Sequence, residues 1–313
     1  MAEFFGTSAN DVITPTRVSG GVTTEPTGSR PSAAADVIRG NAGDDTIEGG
    51  AGRDTVEAGA GDDVIVIDWA NDIVAGETVD GFDTLVTVFN TDLADVVITD
   101  VERLLVSGRV ALTPAQLAAF ERIAGETGDD ELRAAAPGTY DLSGSIYEQD
   151  VSFIGSRGDD TIIGSNVDDD LVGGSGDDAI EGGDGDDTID GSGGDSAIDG
   201  GGGDDTIDGG EGDDTIDGGD GNDTIEVSEG ADTVNAGAGD DVFEIADVSP
   251  YGRRGATFDG GDGVDTLRIL PFQVNLTGVS LANIERLQPK FSVILQPDQL
   301  AAFEIIGTEG STQ

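Results

Sequence analysis

The chain has 313 residues, of which 65 are acidic and 14 basic, for a formal net charge of −51. A polyanion of this kind excludes binding to nucleic acid and insertion into or binding at anionic membranes, since both need clustered Lys and Arg or long apolar runs. Histidine and cysteine are absent, which removes Ser-His-Asp and Cys-His catalysis, His-based zinc sites and disulfides. Counting alone leaves paired-carboxylate glycoside chemistry open, but almost all the acids fall on a repeat frame and no separate catalytic-sized domain remains, so no enzyme is expected.

One nine-residue frame organises the chain: Gly-Gly-x-Gly-x-Asp-x-U-x, with U a large apolar residue. In chain order, residues 1–30 hold a degenerate copy, Gly6–Thr14, with Asp11 and Ile13 in register, and then a Thr/Gly/Ser/Pro-rich loop. Residues 31–75 read as a first short roll. Frames at Pro31, Gly40, Gly49 and Ala58 place Asp36, Asp45, Asp54 and Asp63 at position six and Ile38, Ile47, Val56 and Ile65 at position eight.

Residues 76–127 have no repeat and read as a cap of short strands, Leu85–Phe89, Val96–Thr99 and Leu104–Ser107, followed by a helix over 114–124. Thr113 and Gln116 form a capping box, Pro114 sits at the first helical position, and Gly125 ends the helix. The expected role of this cap is to cover the open end of the apolar ladder. Residues 128–152 read as a connector.

Residues 153–247 form a second, longer roll. Ten consecutive frames start at Gly155 and end at Glu244. Position six reads Asp160, Asp169, Asp178, Asp187, Ser196, Asp205, Asp214, Asp223, Asp232 and Asp241. Position eight reads Ile162, Leu171, Ile180, Ile189, Ile198, Ile207, Ile216, Ile225, Val234 and Phe243. Residues 248–313 repeat the cap, with strands at Leu267–Leu270, Val274–Leu276 and Ser292–Leu295 and a helix over 297–306. Asp265-Thr266-Leu267, Ile284-Glu285-Arg286-Leu287 and Gln299-Leu300-Ala301-Ala302-Phe303 match Asp83-Thr84-Leu85, Val101-Glu102-Arg103-Leu104 and Gln116-Leu117-Ala118-Ala119-Phe120. The chain is therefore a tandem duplication of roll and cap.

Each position of the frame has a physical reason. Glycine takes positive φ and turns tightly, bringing carbonyls inward. Aspartate adds carboxylate oxygen, and calcium is a hard ion that takes six to eight oxygens. The apolar eighth residue lies on a very short strand, and stacked copies make a narrow ladder. The expected fold class is all-β, a parallel β-roll or β-solenoid of calcium-binding nonapeptides in two roll-plus-cap modules. Without calcium, the crowded carboxylates repel and the ladder is too thin to hold the roll.

The repeat resembles the RTX (repeats-in-toxin) family of secreted proteins over about half of the chain. That resemblance implies that two nonapeptides make one coil and that each ion lies between coils. Its ligands would be the position-six aspartates, Asp36, Asp45, Asp54, Asp63, Asp160, Asp169, Asp178, Asp187, Asp205, Asp214, Asp223, Asp232 and Asp241. Backbone carbonyls of Gly43, Gly52, Gly176, Gly185, Gly203, Gly212 and Gly221 would complete the shell. About ten calcium ions are expected, leaving a net charge of roughly −30. Ser196 and Val167 interrupt the pattern at positions six and four.

The resemblance also implies export through a type I exporter by a carboxy-terminal signal, and folding outside the cell at millimolar calcium. Met1–Asn10 has no basic and apolar leader pattern. With repeat fragments at both ends, head-to-tail stacking of copies is expected, as in a surface layer, matrix or filament. The rival expectations are a monomeric extracellular calcium-binding or adhesion module and, third in order, the carboxy-terminal RTX region of a secreted enzyme or toxin.

Overall fold

The computed structural model describes residues 3–7, 9, 11–14, 23–25, 36–50, 54–67, 73–75, 82–87, 91–94, 96–125, 130–144, 146–147, 151–228, 230–245, 255–270, 273–303 and 305–306. Two compact units divide the chain. One holds residues 1–135 and 144–153, the other residues 136–143 and 154–313. Each is a parallel β-solenoid.

In the second unit one sheet stacks Thr139–Asp141, Thr161–Ile163, Ala179–Asp184, Ala197–Gly202, Thr215–Asp220, Thr233–Ala238, Thr257–Asp259 and Ser280–Ala282. Opposite runs a second series, Asp170–Val172, Thr188–Asp190, Thr206–Asp208, Thr224–Glu226, Val242–Ile245, Thr266–Ile269, Arg286–Pro289 and Ile305–Ile306. Among the described residues the strands of these two series pair in parallel, and neighbours in the repeat are offset by 18 residues, as in Ile189↔Ile207 and Ile207↔Ile225. Two nonapeptides thus make one coil.

The period explains the strands. Threonine before the apolar residue is β-branched and suits an outward strand position. Alternate side chains point to opposite faces, so the eighth residue of each frame enters the core, as does position one, where Ala58, Val227 and Ala236 are buried. Ile180, Ile189, Ile198, Ile207, Ile216 and Ile225 are all buried. Each contributes about 1.5–3 kcal/mol of burial free energy.

The first unit follows the same rule. Val37–Ala42 pairs with Thr55–Ala60, and Thr46–Glu48 with Val64–Ile67, again at 18 residues. Its first strand, Glu3–Phe5, pairs in parallel with Val37–Ala42 and antiparallel with Thr23–Glu25. That antiparallel partner breaks the otherwise parallel pattern and lies inside the stretch expected to be a loop.

The segments expected to cap the rolls contain their short strands and one helix each, but they do not close the ladder. They carry it on. Ile65 pairs with Leu85, Leu85 with Leu104 and Leu104 with Ile123, in coils of 20, 19 and 19 residues. In the second unit Phe243, Leu267, Leu287 and Ile306 continue the ladder in the same way.

The helices are shorter than expected. Pro114–Leu117 replaces the helix over 114–124, and Pro297–Ala302 the one over 297–306. Arg122–Gly125 is a strand, because the N–H groups of Glu121 and Arg122 donate to the carbonyl of Glu102. The parallel ladder takes those backbone groups before the helix can use them. The capping box of Thr113 and Gln116 is present, and Gln296 with Gln299 repeats it. Gln299 Nε2 also donates to the carbonyls of Leu276 and Val279, as Gln116 does to Leu93 and Val96. These buried amides tie each short helix to the loop beneath it.

The expected connector, residues 128–152, carries Glu131–Ala134, Thr139–Asp141 and Ile146–Tyr147. Glu131–Ala134 continues from Arg109–Leu112 in the first unit, and Thr139–Asp141 pairs with Thr161–Ile163 in the second. No described helix is long and apolar enough to cross a membrane.

Candidate metal centre

The turns between strands are built from positions one to six of the frame. At Gly183, Gly201 and Gly219 in position two, φ is 116°, 102° and 109°, and at Gly185, Gly203 and Gly221 in position four it is 128°, 136° and 143°. A Cβ at these sites would also strike the backbone of the matching residue one coil earlier, a glycine except for Ser165 below Gly183 and Val167 below Gly185. Glycine is therefore required both by conformation and by the close stacking of turns.

The turns place the position-six carboxylates inside. All thirteen aspartates expected as ligands are buried, none more than 9% exposed. Their Oδ1 atoms stitch the coils together. The N–H of Asp187 donates to Asp205 Oδ1 at 2.8 Å, that of Asp205 to Asp223 at 2.9 Å and that of Asp223 to Asp241 at 2.8 Å. Parallel columns run from Asp160 to Asp178 and, beyond a break where Ser196 offers no carboxylate, from Ser196 through Asp214 to Asp232, and through Asp45 and Asp63 in the first unit.

The second oxygen tells more. Oδ2 of Asp45, Asp63, Asp178, Asp187, Asp205, Asp223 and Asp241 is buried with no hydrogen-bond donor. In the frames of Asp45, Asp178, Asp187, Asp205 and Asp223 it points at the position-one glycine, whereas Ala58 and Ala236 hold that position in the frames of Asp63 and Asp241. A Cβ on Gly200 would lie 2.5 Å from both Asp205 Oδ2 and the carbonyl oxygen of Gly218. Carboxylate and carbonyl oxygens therefore converge on a cradle that no side chain fills. Buried acceptors with no donor, gathered with carbonyls, are the donor set that suits calcium.

Among the described residues no three acidic side chains gather at one point. The carbonyls of Gly43, Gly176, Gly185, Gly203, Gly212 and Gly221, expected as ligands, each face the turn glycine one coil on. Gly52 lies outside the described residues.

Some positions differ. Asp160 Oδ2 accepts the N–H and hydroxyl of Ser156, and Asp169 Oδ2 accepts the N–H of Ser165. At these two frames the chain itself supplies the donor. Ser196 donates its N–H to Asp214 Oδ1, but its own hydroxyl is buried and unpaired. Val167, at position four, is 47% exposed.

The structure adds residues that the period did not find. Asp83, Asp130 and Asp265 are buried like the others. Asp265 belongs to an intact frame, Gly260–Arg268, which falls out of the nine-residue phase after the interruption that follows Glu244. Glu102 and Glu285 extend the columns, accepting the N–H groups of Asp83 and Asp265. The signal was an acid two residues before a buried apolar side chain. A second ladder was also missed. Position-five carboxylates grip the following coil, as Asp159 does Asp177, Asp177 does Asp195 and Asp195 does Asp213.

Electrostatics agree with a cation-seeking site. Burial pushes Asp63, Asp187, Asp214 and Asp223 up to about 7 and Asp45 to about 6, opposed by backbone hydrogen bonds and reinforced by neighbouring carboxylates. Without a cation these groups take up protons as pH falls through about 6–7. A raised carboxyl in the fold favours the cation-free roll at low pH, and that support is lost as pH rises through about 6–7. Protons and calcium therefore compete. The calcium concentration at the folding midpoint should rise as pH falls from 8 to 6, by up to about a decade per unit for each proton displaced. Circular-dichroism titrations at three pH values check this, and a pH-independent midpoint would refute it.

A parallel solenoid with donor-free carboxylates along its turns is a cation-binding β-roll. The RTX calcium-binding nonapeptide repeat matches residues 32–65 in the first unit, and residues 152–180, 163–198, 181–216, 191–225 and 217–244 beyond it. The chain thus carries several copies of the RTX calcium-binding nonapeptide repeat, consistent with an RTX calcium-binding repeat protein. No curated protein matches it.

Proposed function

We propose that this chain is a secreted structural protein that folds on calcium outside the cell and assembles into a surface layer, matrix or filament. It is not an enzyme in this reading, and it leaves the cell unfolded through a type I exporter. The calcium ligands are the position-six aspartates together with carbonyls of the glycine turns. The observation that carries the reading is the line of buried Oδ2 atoms without donors.

Assembly is supported by a contrast between the duplicated segments. Leu117 is 1% exposed, whereas its counterpart Leu300 is 49% exposed, beside Phe291 at 40% and Ile294 at 47%. Arg109–Leu112 continues into Glu131–Ala134, while its counterpart Ser292–Ile294 pairs only with Gln273–Asn275 among the described residues. An edge strand flanked by exposed apolar side chains is a template for another chain. The occupant proposed is a second copy, since the first unit covers the same surface with a coil of this same sequence type. Residues 307–313, expected to share in that joint, lie outside the described ones.

Light scattering and electron microscopy of the purified chain, with chelator and then with millimolar calcium, test the proposal. Filaments or sheets appearing only in calcium are expected. A compact monomer in calcium would sink the assembly and favour an extracellular calcium-binding or adhesion module.

A further inference from the structure

The cation column does not end with the nonapeptides matched to the family. Asp265 is fully buried, its Oδ1 accepts the N–H of Asp241 at 2.9 Å, and its Oδ2 has no donor. A Cβ on Gly260 would strike both that Oδ2 and the carbonyl oxygen of Asn283, the same convergence seen beside Gly200. The coil that follows is not a nonapeptide. Asn283 takes the glycine's place with φ at 48°, and Glu285 stands where an aspartate would be. Glu285 Oε2 accepts the N–H of Asp265 at 2.9 Å. This coil is 20 residues rather than 18.

The first unit repeats the device independently. Asp83 donates its N–H to Glu102 Oε2 at 2.8 Å, and Glu102 is followed by Arg103 as Glu285 is by Arg286. Arg286 does not neutralise the site in the simplest way: its guanidinium reaches the carbonyl of Val264.

We infer that Asp265, the carbonyl of Asn283 and Glu285 form a further calcium site, at the boundary where nonapeptides give way to longer coils. Asp83 and Glu102 form its counterpart. This inference rests on the calcium reading above. Glutamate acts here both as the acceptor that closes the backbone column and as the charge that completes the last ion's shell.

The test is calcium stoichiometry of the full chain by calorimetry, with terbium luminescence as a second measure. In E285Q the amide oxygen can still accept the Asp265 N–H, but the charge is gone. The expected result is one bound ion fewer than in the unaltered chain, with the calcium-induced circular-dichroism change retained. E102Q should do the same in the other unit, and the double variant should lose two. Unchanged stoichiometry and affinity in E285Q and E102Q would overturn the inference and leave both glutamates as backbone caps. Failure of the unaltered chain to bind calcium would overturn the calcium reading as a whole, which is a distinguishable result.

Discussion

Removing calcium with a chelator at pH 8 should unfold the chain, with loss of the β-type circular-dichroism signal and a large increase in hydrodynamic radius. In the second unit alone, Asp178, Asp187, Asp205, Asp223, Asp241 and Asp265 each bury an oxygen without a donor. Leaving one such group unpaired costs about 1–3 kcal/mol, and more when it is charged. Six of them match or exceed the roughly 5–15 kcal/mol by which a typical domain is stable. The Ile ladder is one side chain wide on each sheet and cannot make up the difference. Returning calcium should restore the signal cooperatively. A chain that kept its β signal and compactness at pH 8 in chelator would show that the carboxylates are satisfied some other way.

Ile207→Asp should prevent the second unit from folding even in saturating calcium. Ile207 is fully buried and packs in register between Ile189 and Ile225. Truncating such a residue to alanine costs about 2–5 kcal/mol. An aspartate adds an unpaired charge in an apolar ladder, for which the neighbouring coils offer no partner. Ile207→Val, losing one methylene, should cost only about 0.5–1.5 kcal/mol and fold normally. The comparison separates a ladder position from a tolerant surface one. A normal calcium-induced transition in Ile207→Asp would mean that the register is wrong.

Much of the solenoid was legible because its rule is local and repeated. An aliphatic at every ninth residue, with glycines four to seven places before it, leaves one place for each strand. The pairing of Ile189 with Ile207 follows from counting. Counting failed where the coil length changed. Asp265 and its whole frame were absorbed into a cap, because the interruption after Glu244 shifted the phase. Arg122–Gly125 was assigned to a helix, since Leu117, Phe120 and Ala124 have helical spacing. That spacing is real only as far as Leu117. Beyond it the carbonyl of Glu102 offers a ladder partner, and a non-local contact of that kind leaves no mark on local periodicity.

The same division holds at the candidate site. The position-six aspartates could be named from the frame, because the chemistry needs an acid at one fixed distance from the turn. Which of their oxygens remain free could not. Ser156 and Ser165 supply donors to Asp160 and Asp169, while Asp187 and Asp205 have none for Oδ2. That difference depends on how side chains and backbone meet across stacked coils. The sequence by itself determined the period, the parallel ladder and the acidic turns, since all three repeat within eighteen residues. Only the tertiary structure decided how far the column runs, which carboxylates lack a donor, and that Glu102 and Glu285 close it, because each depends on a contact between coils of unequal length.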